Sequence, residues 1–243
     1  RESMCIPFGE DAKICLNGVI DRVDLCSLPG EELIKVIDYK SSDSQDLSLA
    51  KVYYGLQMQL LTYLEAAKEM VEKEHKGKEA VPAAMLYYAI KEKNLDWKPE
   101  SEEEYEKRVL DSMKCKGYVN EEPEIIGHLD KSVVNGGELI PGQKSGVVPV
   151  AVDKKGLLKK NSETLSAKDF ETLIAHTKEK MKECGKGILD GKIEAIPYVY
   201  EDNEGCTYCP YGSVCGHESK KDGVREMKKM SDDEVWEALY GDD

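Results

Sequence analysis

The sequence predicts an α/β fold, because short apolar stretches typical of strands alternate with longer stretches of helical periodicity. Residues 13–24 and 33–40 are predicted to form two strands around a polar turn at 27–32. In residues 48–74, apolar side chains recur every three or four positions, which predicts one helix. Residues 81–91 combine aromatic and apolar side chains and are predicted to form a buried strand.

Two further helices are predicted in the second half of the chain, over 101–115 and 167–190. The second has clear boundary signals. Ser166 followed by Asp169 is a capping-box pattern, and Gly191 is expected to end the helix.

The remaining stretches carry less information. Residues 117–146 are rich in glycine and polar side chains and are predicted to form a mobile loop, followed by a strand at 147–152. The last stretch, 220–243, is charged and amphipathic, which predicts a short helix or a tail.

The composition restricts the possible functions. The net charge of −14 argues against a protein whose whole surface clamps DNA, although a local site with metal ions and a few lysines remains open. No apolar run approaches the roughly 18 residues that span a bilayer, and no secretory signal is present, so a cytoplasmic protein is expected. The opening residues do not look like a natural start, so the chain is expected to be a piece of a longer protein.

Two aspartates stand where the apolar rhythm of the strands requires a buried residue. Asp21 and Asp38 each follow a Val-Ile pair. A turn centred on Pro29 and Gly30 places Asp21 opposite Asp38, and a loop of more than two residues is expected there because proline cannot take a positive φ. Lys40, two residues further on, shares the face of Asp38.

Facing carboxylates repel each other, and a divalent cation between them removes that cost. Mg²⁺ prefers a few carboxylate oxygens, and a lysine beside it can stabilise developing negative charge. Asp21, Asp38 and Lys40 are therefore the parts of a phosphodiester-cleaving site. The spacing is equally compatible with two solvated edge aspartates that Lys40 neutralises. Arg22 and Asp24 fall on the opposite face and are predicted to form a surface pair.

Gln59 and Tyr63 lie four residues apart on one face of the predicted helix. That face is otherwise apolar, so both side chains are expected to point at the sheet. They could reach Lys40, the attacking water or the phosphate. An ordinary buried tyrosine and a glutamine bonded to the backbone would give the same pattern.

The eight cysteines divide into two groups. The scattered ones are predicted to be reduced, buried and apolar in role; they are Cys5, Cys15, Cys26, Cys115 and Cys184. Cys206, Cys209 and Cys215 form a cluster that favours a metal, and from spacing alone His217 could complete a zinc site.

Three motifs together resemble the RecB-like branch of the PD-(D/E)XK nuclease superfamily: G-x-I-D (Gly18 to Asp21), V-I-D-Y-K (Val36 to Lys40) and Q-x-x-x-Y (Gln59 to Tyr63). The stretches VYYGLQMQLLTYLEAA and GILDGKIEAIPYVYEDNEGCTYCPYGSVC resemble the nuclease domains of AddAB-type helicase–nucleases. The resemblance implies a restriction-endonuclease-like core, a mixed central sheet flanked by helices, over 1–200. A cysteine-rich Fe–S flap and tail would follow over 201–243.

The resemblance also implies roles for individual residues. Asp21, Asp38 and the carbonyl of Tyr39 would bind Mg²⁺ or Mn²⁺, and Lys40 would be the catalytic lysine. The supporting residues would be Gln59 and Tyr63, and the ligands of a [4Fe–4S] cluster would include Cys206, Cys209 and Cys215. In the family, a helix before the core supplies a further metal ligand and a fourth cysteine lies upstream. Neither is found in this sequence, so the fragment is expected to be a poor nuclease without its cluster.

The implied function is a metal-dependent DNA exonuclease that processes double-strand ends for recombinational repair and cuts the strand ending 5′. DNA and an AddA-type helicase–nuclease partner would act with it. An alternative is a DNA-end-binding module, stapled by the Fe–S cluster, with little activity of its own. A stand-alone exonuclease of the CRISPR-adaptation type is less compatible with the long segment between Tyr63 and Cys206.

Overall fold

The computed structural model describes residues 4–9, 11–41, 46–90, 98–99, 101–201, 203–218 and 222–241. The strands are β1 (Met4–Phe8), β2 (Ala12–Leu16), β3 (Arg22–Leu28), β4 (Glu31–Lys40), β5 (Glu79–Ala89), β6 (Lys116–Asn120), β7 (Val134–Asn135), β8 (Glu138–Leu139), β9 (Thr164–Leu165), β10 (Tyr198–Tyr200), β11 (Asn203–Glu204) and β12 (Arg225–Met227). The helices are α1 (Leu49–Tyr53), α2 (Gln59–Glu74), α3 (Glu102–Ser112), α4 (Pro123–Leu129), α5 (Ala167–Leu189), α6 (Gly212–Cys215) and α7 (Asp232–Tyr240), with a 3₁₀ turn at Lys131–Val133. Among these helices, none has the length and apolar character needed to cross a membrane.

The largest sheet has five strands in the order β3-β4-β5-β6-β9. It is mixed, because β4 runs parallel to β5 and β6 parallel to β9, whereas the β3–β4 and β5–β6 pairs are antiparallel. Helices α2 and α5 cover one face, where Leu60, Leu64 and Phe170 are buried. Helix α4 covers the other face through Ile126. The predicted α/β core, a mixed sheet flanked by helices, is therefore confirmed, whereas the Fe–S flap stays a prediction.

Strand β4 lies inside this sheet, and its sequence is apolar on both faces. Leu33, Ile34, Val36 and Ile37 are all buried, as expected for a strand covered on both sides. Asp38, which follows them, is also buried, at 3% exposed. The fold therefore places a carboxylate at the end of its most buried strand.

The β3–β4 hairpin has the predicted register but a shorter turn. Leu28 pairs with Glu31, so Pro29 and Gly30 alone form the turn, and the expectation of a longer loop is wrong. Gly30 has a φ of +85°, and Pro29 has no positive φ. This is the pattern of a type II turn, which needs a positive φ only at its second central position.

The prediction of one strand at 13–24 is wrong, because this stretch contains the end of β2 and the start of β3. β2 ends at Leu16 and pairs with β1, whereas β3 begins only at Arg22. The predicted helix at 48–74 is likewise divided into α1 and α2. Gly55 has a φ of +77°, a left-handed conformation that ends a helix. As a result, α2 begins at Gln59 itself.

The predictions at 81–91, 101–115 and 167–190 are confirmed by β5, α3 and α5, apart from residue 91, which lies outside the described residues. Ser166 and Asp169 form the predicted capping box, and Gly191 follows the helix with a φ of +68°. The short-helix prediction for 220–243 is confirmed by α7; residues 220, 221, 242 and 243 lie outside the described part.

The predicted mobile loop at 117–146 is wrong, because it contains β6, α4 and the β7–β8 hairpin. The predicted strand at 147–152 forms no ladder, only isolated bridges from Ala151 and Val152. Val148, Val150 and Val152 are buried. The alternation of buried valines is typical of a strand, but here it arises because one side of an irregular segment faces the core.

Two cysteine predictions are also wrong. Cys5 and Cys15 form a disulfide, since they lie opposite each other in the β1–β2 hairpin with Cα atoms 4.1 Å apart. Cys184 lies near the end of α5 and is exposed rather than buried. Cys115 is buried as predicted, and Cys26 is half-buried.

Candidate active site

The candidate site lies where β4 ends and α2 begins. Asp38 and Lys40 occupy alternate positions at the end of β4 and so point to the same face. Gln59 is the first residue of α2, directly beside that face. The break that separates α1 from α2 therefore brings the start of a helix to the two polar side chains of β4.

Asp38 and Lys40 form a close ion pair. The Nζ atom of Lys40 lies 2.5 Å from Oδ2 of Asp38, and the side chains of Lys40 and Asp38 are 21% and 4% exposed. Oδ2 is fully buried, yet no described residue donates to it a hydrogen bond of good geometry. The ammonium of Lys40 thus compensates the charge of this carboxylate by close contact, without a hydrogen bond of good geometry to Oδ2. A buried carboxylate oxygen is costly without such a cation.

Asp21 contacts the end of β4 from the neighbouring strand of the hairpin. It stands one residue before β3, and the β3–β4 register, extended by one step, places it opposite Asp38. Its Oδ2 atom accepts a hydrogen bond from the backbone N–H of Tyr39, at 2.9 Å. The structure therefore holds Asp21 against the backbone of the residue whose carbonyl is the predicted third metal ligand.

Gln59 and Tyr63 continue the polar chain from Lys40. The ammonium of Lys40 donates to Oε1 of Gln59 at 2.9 Å, and Nε2 of Gln59 donates to the hydroxyl of Tyr63, also at 2.9 Å. The Gln59 amide thus accepts a hydrogen bond through its oxygen and donates one through its nitrogen. Lys40 is held between Asp38 and Gln59, which restricts the positions of its ammonium.

Tyr87 belongs to the site, although the sequence identified it only as part of a buried strand. It pairs with Asp38 across β4 and β5, and its ring centroid lies 5.1 Å from Nζ of Lys40. Burial raises its pKa to about 12, and the charges of Asp38 and Tyr63 act in the same direction. The signal that could have found it is the parallel β4–β5 pairing, which sequence reasoning did not provide.

The opposite face of the hairpin carries the predicted surface pair. Nε of Arg22 lies 2.7 Å from Asp24, and Nζ of Lys35 lies 2.8 Å from the same carboxylate. Burial acts to raise the pKa of Asp24, but the hydrogen bonds from Arg22 and Lys35 outweigh it and lower the pKa. The charge of Asp24 is therefore satisfied by hydrogen bonds, which Oδ2 of Asp38 lacks among the described residues.

A cleft of about 580 Å³ borders the site at Tyr63. It opens between the segment before Asp21, at Gly18 and Ile20, and the face of α2 that carries Tyr63. Asp21 is itself exposed, whereas Asp38 is buried, so solvent reaches the pair of carboxylates from the side of Asp21.

The cysteine cluster lies apart from this site, at the turn before α6 and at its last residue. Cys206, Cys209 and Cys215 are exposed. Local desolvation, Glu204 and the other two thiols raise the pKa of Cys206. The described residues contain no group of three or more His, Cys, Asp or Glu side chains arranged to hold a metal ion. Three thiols do not match the four ligands of a cubane, so the [4Fe–4S] and zinc alternatives both stay predictions.

Residues 2–216 match the sequence profile of the PD-(D/E)XK nuclease superfamily, and the chain belongs to this superfamily. Nucleases of this superfamily typically use a divalent metal ion.

The relatives are more specific, because the chain is similar to the B subunits of ATP-dependent helicase/deoxyribonucleases. The relative from Lachnoclostridium phytofermentans is 36% identical over 236 residues, which cover 96% of this chain and 20% of the relative. Those from Thermoanaerobacter pseudethanolicus and Clostridium perfringens are each 34% identical, over 93% and 96% of this chain and 19% and 20% of the relatives. The chain thus spans about one fifth of their length. These matches confirm the resemblance to AddAB-type helicase–nucleases and show that the similarity is to their B subunit, AddB.

Proposed function

We propose that the chain is a metal-dependent deoxyribonuclease domain, acting as an exonuclease within a helicase–nuclease that processes double-strand DNA ends for recombinational repair. The observation that carries the proposal is the buried Oδ2 of Asp38, which has no aligned donor and lies against a lysine that Gln59 also holds. The names of the relatives, which combine a helicase with a deoxyribonuclease, support the context.

The donor set suits a hard divalent cation. The carboxylates of Asp21 and Asp38 and the carbonyl of Tyr39 would offer oxygen ligands, which Mg²⁺ and Mn²⁺ prefer. The buried Oδ2 of Asp38 fits this role, because it has no aligned hydrogen-bond donor among the described residues and a metal ion would add to the compensation that Lys40 gives its charge. When bound, the ion would supply Lewis-acid stabilisation of negative charge on the phosphate.

The side chains of the site have separate tasks. The ammonium of Lys40 stabilises the negative charge that develops on the phosphate as water attacks phosphorus, with the 3′-oxygen as the leaving group. Gln59 fixes the ammonium through its 2.9 Å hydrogen bond, and Tyr63 fixes the amide of Gln59. Asp38 holds the ammonium from the other side. This positioning reduces the reorganisation needed during the reaction.

The proposal extends to the assembly. The strand cut is the one that ends 5′, and an AddA-type helicase–nuclease is the partner. The motor delivers the strand, which is how a chain with a net charge of −14 can act on DNA without binding it tightly. In the bacterial cytoplasm, Cys206, Cys209 and Cys215 hold a [4Fe–4S] cluster together with a ligand from elsewhere in the full-length protein. Residues 1–200 form the nuclease domain and 201–243 the cluster region and tail.

The test uses the full-length protein in its helicase–nuclease. Asp38→Ala or Lys40→Ala should lower cleavage of one strand by at least about 10²-fold, the scale for loss of an electrostatic catalytic group, and leave unwinding intact. Asp24→Ala is the matched control, because this aspartate lies on the other face of the same hairpin. Degradation of both strands by Asp38→Ala in Mg²⁺ would refute the proposal. A wild-type complex that binds ends but cuts no faster than Asp38→Ala would favour the end-binding module.

A further inference from the structure

A second cleft, of about 320 Å³, opens around the start of β6. Three lysines line it, one from the segment before β6, one at the start of β6 and one from the segment after β8; they are Lys114, Lys116 and Lys144. The cleft also borders three acids: Asp46, which follows β4 in the chain, Asp111 and Glu163. The site described above uses none of these lysines.

The register of the sheet connects the cleft to the site. Lys116 pairs with Tyr87, and Tyr87 pairs with Asp38, so the three residues form a row across β6, β5 and β4. Directly paired residues share one face. Tyr118, two positions after Lys116, packs in the same cluster as Tyr87, which supports this assignment. With strands about 4.8 Å apart, the Cα atoms of Lys116 and Asp38 are separated by about 10 Å.

This separation suits a nucleic acid strand. Along the axis of a duplex, where the rise is about 3.4 Å per nucleotide, about 10 Å corresponds to roughly three nucleotides, and a more extended single strand spans it in fewer. A strand with its scissile phosphate at Asp38 and Lys40 can therefore place a phosphate within about three nucleotides of that position beside Lys116, at the border of the cleft.

Two of the lysines already have acidic partners. Nζ of Lys116 lies 2.5 Å from Asp46, and Nζ of Lys144 lies 3.1 Å from Asp111. Both partners are strongly exposed, at 76% and 43% of the side chain, so these pairs contribute little and can exchange.

Lys114 differs from its neighbours. Its side chain is half-buried, and no hydrogen bond or ion pair joins it to any described residue. Burial lowers its pKa, the charge of Lys144 adds to this effect, and Asp111 and Asp130 act in the opposite direction. A partly desolvated ammonium beside a second ammonium is stabilised by an anion placed between them.

We propose that this cleft binds a backbone phosphate of the DNA strand being cut, with Lys114 as the principal ligand and Lys144 as the second. This proposal rests on the proposed function, because the strand that occupies the cleft is the one that is cut at Asp38 and Lys40. The cleft would position the strand and take no part in bond breaking.

The test measures binding separately from cutting. The whole helicase–nuclease, carrying Asp38→Asn to prevent cleavage, is titrated with a single-stranded oligonucleotide at salt concentrations from about 50 to about 200 mM. Each phosphate contact to a single strand contributes about 0.7 to the slope of log affinity against log salt. Lys114→Gln should reduce the slope by about 0.7, and Lys114→Gln with Lys144→Gln by about 1.4. Affinity at low salt should fall about fivefold per lysine, the upper end for a partly exposed ion pair.

Two controls complete the experiment. Lys114→Arg keeps the charge and should keep the slope. Lys76→Gln removes an exposed lysine just before β5, at the opposite end of the sheet, and should leave the slope unchanged. A Lys114→Gln slope equal to that of Lys76→Gln would overturn the proposal. So would Lys114-dependent stabilisation by inorganic phosphate without any change in oligonucleotide binding, which would indicate a site for the free ion.

The two proposals fail separately. If Asp38→Asn does not reduce cleavage, the proposed function is wrong whatever the slopes show. If cleavage depends on Asp38 but the slopes do not depend on Lys114, only the cleft assignment is wrong.

Discussion

Replacing Lys40 by methionine should destabilise the protein more than the loss of any ordinary surface lysine. The ammonium lies 2.5 Å from a carboxylate whose side chain is 4% exposed, so the variant leaves that charge buried without a counter-charge. Removing one partner of a buried ion pair costs about 3–5 kcal/mol. Because the Lys40 side chain is 21% exposed, we expect the lower end, about 3 kcal/mol. Methionine is close to lysine in length and flexibility, so it removes the ammonium and its contact with the ring of Tyr87 while leaving an apolar chain in place.

Lys35→Met is the matched control. Lys35 lies on the same strand and pairs with Asp24 at 2.8 Å, but the two side chains are 25% and 31% exposed. A pair with this much solvent contact contributes less than about 1 kcal/mol. The two variants therefore remove the same group from the same strand and differ in the burial of the partner.

The assay is urea denaturation at neutral pH, with and without Mg²⁺. Without the ion, Lys40→Met should lose about 3 kcal/mol and Lys35→Met less than about 1 kcal/mol. Mg²⁺ should then stabilise Lys40→Met more than Lys35→Met, because a bound cation replaces the missing counter-charge of Asp38. At about 100 times its dissociation constant, the ion contributes about 2.7 kcal/mol.

Two results would refute this reasoning. The first is a Lys40→Met stability within about 1 kcal/mol of that of Lys35→Met, the limit for a solvated pair. The second is equal stabilisation of both variants by Mg²⁺, because the ion would then not act at Asp38.

The remaining predictions concern the other groups around Lys40. Gln59→Ala should slow single-turnover cleavage by about 10- to 100-fold, since it removes a hydrogen bond to a charged group worth about 1.5–3 kcal/mol. Tyr63→Phe should slow it less, because the phenol contacts only the amide; a larger effect than that of Gln59→Ala would contradict this order. For Tyr87, the folded pKa of about 12 lies above that of an unfolded tyrosine, near 10, so its contribution to stability is complete below pH 10 and is lost as the pH rises toward 12. Urea denaturation should therefore show the wild type losing about 2–3 kcal/mol relative to Tyr87→Phe over this interval, and parallel pH profiles would disprove it.

Much of the local structure could be predicted from the sequence because its determinants are close in the chain. The register of the β3–β4 hairpin follows from the position of its turn, and it places Asp21 and Asp38 opposite each other whether the turn is tight or wide. The capping box of Ser166 and Asp169 and the glycine at 191 likewise act within one helical turn. Spacing also assigned Asp38 and Lys40 to one face, which requires only the two-residue repeat of a strand.

The wrong predictions concern stretches whose local sequence pattern is compatible with two different structures. Apolar periodicity continues from 48 to 74, although Gly55 adopts a left-handed conformation that interrupts the helix. The alternation of Val148, Val150 and Val152 resembles a strand, although among the described residues it pairs only through isolated bridges. Cys5 and Cys15 could be assigned to each other only after the β1–β2 hairpin was known.

The sequence by itself determined the chemistry of the site, two acids, a lysine, a glutamine and a tyrosine, and the faces on which each group lies within its own strand or helix. Only the tertiary structure decided that Gln59 touches Lys40, that Tyr87 lies beside the ammonium, and that Lys114 lines a neighbouring cleft without an ion-pair partner among the described residues. The physical reason is that periodicity fixes directions within one element, whereas the distance between elements depends on strand order and helix packing. The parallel pairing of β4 with β5 joins residues nearly fifty positions apart in the chain, and no local pattern encodes such a contact.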